Sequence, residues 1–141
     1  MTYKIVTKYI KDVSFEISDA KTYFLLEKNI KNFNLVCNIN SKNLKENIIQ
    51  VDVNLRLASK DENLAKNFHV SVEHTSIIQM DQKIEKEELE KIILIKVPSE
   101  VYPDITNILV FLFQKSGFNK VNFDEKIDFR KLYENRKKNQ K

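Results

Sequence analysis

The chain has 141 residues, of which 42% are hydrophobic, nine are Phe and only one is Gly. This length fits one domain with a single core and excludes two. The formal net charge of +4 comes from the C-terminal end, because residues 130–141 hold six basic side chains against one acidic one, and the rest of the chain sums to −1. We therefore assign residues 1–133 to one domain and residues 134–141 to a charged flexible tail.

Four segments in the first 80 residues alternate in polarity with the period of two that is typical of half-buried β-strands. They cover residues 3–17, 33–39, 49–57 and 68–73, and in the first of them the odd positions are mostly apolar. A long crossover, 18–32, follows the first strand. The Asn-Ser-Lys-Asn segment at 40–43 predicts a turn after the second strand.

Helical patterns follow the strands. A short amphipathic helix after Asp81 is expected to stop at Pro98, a central helix to run from Pro103 to Gly117, and a last helix to begin after an N-cap at Asp128. Strands followed by helices predict an α+β fold, a four-stranded antiparallel sheet with C-terminal helices covering one face.

The central helix carries apolar residues on more than one face. Its main stripe follows the helical spacing and consists of Ile105, Ile108, Leu109, Leu112 and Phe113. Val110 and Phe111 lie off that stripe, so a helix packed on one side only would leave a large aromatic ring in water. A chain of this size has little protein to cover both sides. We therefore predict that Phe111 and Val110 lie in an interface with a second subunit.

The residue types and their spacing give little support for a catalytic function. The only histidines, His69 and His74, are predicted to be solvated, one on the polar strand face and one in a turn region after it. No zinc-ligand spacing is present, and one Gly cannot build a Gly-rich phosphate loop. The single cysteine, Cys37, lies in an apolar alternation that is typical of a core strand. We predict a protein that is not an enzyme and has no metal or cofactor.

Two groups of residues are candidate binding sites. Asp12 and Glu16 lie on the same face of the first strand, either as a solvated acidic edge or as a docking site. The crossover and its end carry Phe24, Ile30 and Phe33, which either cap the sheet or line a groove for apolar peptides. The N-terminal residues lack the apolar run of a signal peptide, and no apolar segment approaches the roughly 20 residues of a membrane span. These features predict a cytoplasmic protein without membrane insertion.

Several stretches together resemble the SecB family of bacterial export chaperones. The segment Tyr-Ile-Lys-Asp-Val-Ser-Phe-Glu at 9–16 is similar to the first-strand motif of that family. Pro98 with Tyr102-Pro103 resembles the residues that open the family's long helix, Gly117-Phe118 falls at its end, and Leu132-Tyr133 follows the Ile-Asp-Phe of its closing motif.

The resemblance implies a homotetramer, a dimer of dimers with the long helices between them. It also implies ATP-independent binding of unfolded precursor proteins and their delivery to the SecA translocation motor, with Asp12 and Glu16 at the family's acidic positions for SecA. Phe24, Ile30 and Phe33 are then candidates for the groove that binds unfolded substrates. The chain departs from the family in its basic tail, in Thr75-Ser76 where a Gly pair is common, and in Ser71 at a position that often carries an acid.

Two other functions remain open. One is a SecB-like chaperone dedicated to another partner, such as a toxin-antitoxin pair. The other is a small nucleic-acid-binding module that uses the basic tail. The predicted polar sheet face mixes Lys4, Lys8 and Arg56 with several acids instead of forming a basic stripe with aromatics, which argues against specific nucleic-acid binding.

Overall fold

A computed structural model of the protein describes residues 3–30, 33–81, 84–118 and 127–139. A four-stranded sheet forms its centre, with strands β1 (Tyr3–Ile17), β2 (Asn34–Lys45), β3 (Ile48–Ala58) and β4 (Phe68–Met80). Each pair of neighbouring strands is antiparallel, and the spatial order is β1-β4-β3-β2, so β1 and β2 are the two edges. Residues 31 and 32 of the predicted crossover, and residues 140 and 141 of the predicted tail, lie outside the described residues.

Helices occupy one face of this sheet, which we call the inner face. They are α1 (Ala20–Asn29), α2 (Glu62–Asn67), α3 (Lys86–Lys91), a π-helical segment (Ile92–Lys96), α4 (Val97–Lys115) and α5 (Phe129–Asn139). The long helix α4 packs across β3 and β4, and α5 packs on the π-helical segment. The predicted α+β fold, an antiparallel sheet covered on one face by C-terminal helices, is confirmed.

The core lies between α4 and the inner face of β3 and β4. Buried sheet residues alternate as the sequence predicts, at Ile49, Val51, Val53, Leu55, Phe68, Val70, Val72 and Ile78. From α4, the buried stripe includes Ile105, Leu109 and Phe113. Phe113 makes edge-to-face ring contacts with Phe15, at 5.3 Å between centroids, which joins the helix to the edge strand as well.

Strand β1 does not keep the single alternation that the sequence predicts. Register shifts between Ile5 and Thr7 and between Ile10 and Asp12 mark two β-bulges. Each bulge adds one residue to the strand, and the side chains after it change faces. Between the bulges the inner-face positions are therefore Lys8 and Ile10, not the odd positions.

The prolines also act differently from the prediction. Pro98 does not stop a helix, and Pro103 lies inside α4, which begins at Val97. The π-helical segment ends just before Pro98, with the Val97 N–H bonded to the carbonyl of Ile92. Proline lacks an N–H and crowds the preceding turn, so a wider turn before it lets the helical path continue.

Three further expectations are corrected. The turn predicted at 40–43 is strand, and β2 continues to Lys45, followed by Asn47 at a φ of 64°. His74 is not solvated, since it is 5% exposed on the inner face of β4, whereas His69 is exposed as predicted. Residues 134–139, assigned above to a flexible tail, continue α5 as helix. The boundary between domain and tail stays a prediction.

Gly117 ends α4 in a conformation that suits glycine. Its φ is 91°, and the Phe118 N–H donates to the Phe113 carbonyl at 2.9 Å. A Cβ at this position would lie 2.5 Å from the Tyr23 hydroxyl oxygen. We expect Gly117→Ala to lower the free energy of unfolding by about 1–3 kcal/mol, measured by denaturant unfolding, because both backbone strain and this contact oppose it.

Ser116→Ala is the control for that substitution. Ser116 has a φ of −98°, so alanine there should change the free energy of unfolding by less than about 0.5 kcal/mol. Adding Tyr23→Phe to Gly117→Ala removes the crowded hydroxyl and should restore part of the loss. Equal stability of Gly117→Ala and the wild type would contradict this account.

Candidate functional site

An acidic surface lies on the outer face of the sheet, the one opposite the helices. Asp12 and Glu16 are both exposed there, as the sequence predicts. Asp12 pairs with Glu73 of β4 and Glu16 pairs with His69, so three carboxylates lie on adjacent strands. The sequence places Glu73 among the acids of the polar sheet face, but its pairing with Asp12 is not predictable, because the cross-strand register after two bulges is not visible in a single chain.

Two lysines of β1, Lys8 and Lys11, pair with acids outside this group. Lys8 turns to the inner face and its Nζ lies 2.9 Å from the Asp104 carboxylate of α4. The Nζ of Lys11 lies 3.6 Å from the carboxylate of Asp52, which also accepts a 2.6 Å hydrogen bond from the Thr75 hydroxyl. Neither lysine therefore pairs with the carboxylates of Asp12, Glu16 or Glu73.

A groove runs between the edge strand β2 and helix α5. It consists of two adjoining cavities of about 200 and 630 Å³. Both are lined by Ile39 of β2, Leu94 of the π-helical segment, and Tyr133 and Arg136 of α5. The larger cavity is also lined by Cys37, Leu132 and Glu73. Leu132 is 50% exposed at the rim, so the groove presents apolar surface to solvent.

Local structure positions the α5 side of the groove. The Asp128 side chain accepts a 3.0 Å hydrogen bond from the Lys131 N–H and caps the helix, as predicted. Phe129 and Tyr133 are buried at i and i+4, and Tyr102 of α4 packs edge-to-face on Phe129 at 5.9 Å. These two aromatics anchor α5 to the core.

The residues predicted to line a substrate groove are not part of this one. Phe24 lies on α1 and is 62% exposed, while Ile30 and Phe33 are half-buried against the core. Phe33 contacts the Phe68 ring at 5.4 Å, which matches the sheet-capping alternative for that residue. The role of these three residues in substrate binding stays a prediction.

The residues predicted for a subunit interface are partly in solvent in the single chain. Phe111 is 56% exposed, with Lys115 over its ring, and Val110 is half-buried. Asp104, Ile108 and Phe111 share one side of α4, and Asp104 is bonded to β1. That side of α4 therefore faces β1, whose exposed large apolar side chains are Ile10 and Val13 on the inner face, Tyr9 on the outer face and Val6 at the first bulge.

Burial shifts the pKa of two side chains that could otherwise react, those of Cys37 and His74. Burial raises the pKa of the Cys37 thiol to about 11 and lowers the pKa of His74, against the opposing charge of Asp104. Among the described residues, no three metal-binding side chains cluster. Within the same residues, no helix combines the length and hydropathy needed to cross a membrane.

Comparisons with known proteins bear on these surfaces. The family model described as preprotein translocase subunit SecB matches residues 1–140. A candidate protein-export protein SecB of Pelagibacter ubique is 42% identical over 135 residues, covering 95% of this chain and 96% of the relative. The protein-export protein SecB of Rickettsia bellii is 28% identical, covering 89% of this chain and 82% of the relative.

A solved structure shares the fold. The SecB-like chaperone of Mycobacterium tuberculosis, in complex with a ChAD peptide from the HigA1 antitoxin, superposes with a TM-score of 0.65. The superposition covers 87% of this chain and 86% of the Mycobacterium tuberculosis chain, and the two sequences are 11% identical.

Proposed function

Because the chain belongs to the SecB family, we propose that it is a cytoplasmic, ATP-independent chaperone that binds unfolded precursor proteins and delivers them to the SecA translocation motor. The observation that carries the proposal is the groove between β2 and α5, which is open to solvent and whose lining mixes polar side chains with apolar ones such as Ile39, Leu94 and Leu132. Apolar burial is non-directional and requires no particular partner sequence, which suits the holding of many unfolded chains. The peptide bound by the Mycobacterium tuberculosis relative supports a peptide-binding use of this fold.

A homotetramer, built as a dimer of dimers, is part of the proposal. Two exposed apolar surfaces support it, the β1 edge and the side of α4 that carries Phe111. An exposed apolar edge strand is a template for pairing with another chain, and a second copy of this chain would cover it. Several subunits would also present the acidic surface and the groove more than once, which increases the affinity for long chains.

Export is favoured over a role dedicated to a toxin-antitoxin pair. The Mycobacterium tuberculosis relative is 11% identical and shows the fold alone, whereas the Pelagibacter ubique relative is 42% identical over nearly its full length. The proposal includes no enzyme activity, no cofactor and no specific nucleic acid.

Retardation of client refolding tests the holding activity. An unfolded client diluted into equimolar chaperone tetramer should refold or aggregate several times more slowly than in buffer. We expect Phe24→Glu to reduce this effect, because a carboxylate there opposes apolar contact with clients. Phe24 is 62% exposed, so the substitution should leave the protein folded. If no client is slowed by the wild type, the holding activity is excluded.

A further inference from the structure

A small polar cluster interrupts the apolar contact between α4 and the inner face of the sheet. His74 and Ser76 occupy successive inner-face positions of β4 and are 5% and 1% exposed. Among the described residues, the His74 Nδ1 and the Ser76 Oγ are the buried side-chain atoms that make no hydrogen bond. Buried polar atoms are nearly always hydrogen-bonded, so two unpaired ones on successive positions are unusual.

Two charged side chains complete this cluster. Lys8 of β1 pairs with Ser76 in the strand register, because the first bulge of β1 puts it on the inner face. Its Nζ lies 2.9 Å from the carboxylate of Asp104, so the ion pair joins β1 to α4. The unpaired ring nitrogen of His74 therefore lies in the same contact as the ion pair that joins the helix to the edge strand.

The groups that face His74 come from three elements. β1 contributes Lys8, and α4 contributes Asp104. β3 contributes Val53, which is paired with His74, and the other inner-face residues of β3 are apolar as well. Glu100, one turn before Asp104, accepts a 3.3 Å hydrogen bond from a tyrosine of β1. The carboxylate that attracts a charged imidazole is therefore one that is already bonded to a lysine.

A proton on His74 is unfavourable in this setting. A neutral imidazole can leave one nitrogen without a proton, whereas a protonated ring has an N–H donor at both nitrogens. Protonation would thus place a charge and an unpaired Nδ1 donor in a buried contact. Burial lowers the pKa of His74 from its ordinary value of 6.5; the attraction of Asp104 opposes this shift, and the repulsion of Lys8 adds to it. The folded chain therefore resists a proton that the unfolded chain accepts.

We propose that His74 is an acid-sensitive switch in the contact between α4 and β1, which is closed while the imidazole is neutral and opens when the ring is protonated. The inference goes beyond the proposed function, because it concerns how the molecule responds to pH. The same two elements carry the apolar surfaces proposed for the tetramer. Opening of the contact should therefore also separate the subunits in mild acid, and this consequence rests on the proposed tetramer.

Denaturant unfolding of the full chain at a series of pH values tests the switch. Because the unfolded state binds the proton more tightly, the stability from neutral His74 is complete above about pH 6.5 and is lost as the pH falls toward the pKa of the folded state. The reference is His74→Gln, whose amide does not titrate. Relative to it, the unfolding equilibrium constant of the wild type should rise by up to about tenfold per pH unit in this window.

The second histidine provides the matched control. His69 is exposed on the outer face of the same strand, and the chain has no other histidine. His69→Gln should keep the pH dependence of the wild type. Asp104→Asn should extend the loss of stability to lower pH, because it removes the carboxylate that attracts the protonated ring. The same pH dependence in His74→Gln and the wild type would overturn the proposal.

Nuclear magnetic resonance keeps the switch testable even if His74→Gln does not fold. In His69→Gln the remaining histidine ring signal belongs to His74. In the folded protein this signal should stay that of a neutral imidazole below about pH 6.5, and the charged form should appear together with the signals of opened or unfolded chains. A folded His74 that titrates at or above that pH would exclude the switch.

Light scattering tests the release of subunits. The mass of the wild type should fall between about pH 8 and pH 5, whereas His74→Gln should keep its mass to lower pH. Separation of both proteins at the same pH would exclude His74 as the cause. A wild type that is already monomeric at about pH 8 would overturn the tetramer and the release of subunits with it. In that case the unfolding and resonance measurements still decide whether His74 is the switch.

Discussion

Phe111→Glu should divide the tetramer into smaller species while leaving the sheet folded. Phe111 is 56% exposed in the single chain and lies on the side of α4 that faces the apolar β1 edge, so the proposed interface would bury it. A carboxylate buried there without a partner costs about 3 kcal/mol or more, and symmetry repeats that cost in each subunit. Light scattering at micromolar concentration measures the mass, and circular dichroism reports the fold.

Phe24→Glu is the matched control for that substitution. It is the same chemical change at a residue of α1 that is 62% exposed and lies outside the proposed interface. It should keep the tetramer mass and affect client holding instead. A wild-type protein that is monomeric at micromolar concentration, or a Phe111→Glu protein that stays tetrameric, would contradict the assignment of α4 to the interface.

Reversal of both acids, Asp12→Lys with Glu16→Lys, should abolish SecA binding in calorimetry, a loss of at least about 30-fold in affinity. Both side chains are exposed on the outer face, and their lysine replacements would repel a basic segment of SecA. The bulges of β1 strengthen this expectation, because Lys8 is bonded to Asp104 on the inner face and Lys11 is paired with Asp52. Client holding and tetramer mass should not change.

The control variant makes the same change in charge at two acids outside the acidic surface. Glu46→Lys with Glu134→Lys alters two exposed acids in the β2–β3 turn and in α5, and it should bind SecA within about twofold of the wild type. The comparison of the two double variants separates local contact from overall charge, and titrations at low and moderate salt show how strongly binding depends on charge, since salt screens exposed charges. If the double variant and the wild type bind SecA with equal affinity, Asp12 and Glu16 are not part of the SecA-binding site. Glu73→Lys alone then tests whether the acidic surface extends to β4.

The sequence alone determined the class of fold, most of its core and the family. β3 and β4 keep a strict period of two, so the pattern of their residues is enough to assign Val51, Val53, Val70 and Val72 to the inner face. The buried stripe of α4 followed from the helical period in the same way. The end of α4 was also predictable, because Gly117 is the residue type that a φ of 91° favours. These features depend on neighbours within one segment.

The tertiary structure decided what depends on contacts between distant segments. The two bulges of β1 arise from its pairing with β4, and they move Lys8 to the inner face, a change that no period in β1 itself reveals. Pro98 stays within a helical path because the preceding π-helical turn leaves room for it, and His74 is buried because β4 continues under α4. The groove exists only where α5 packs on the π-helical segment beside the β2 edge. Arg136 and Ile39 lie far apart in sequence, so only the packing of whole elements brings them to one surface.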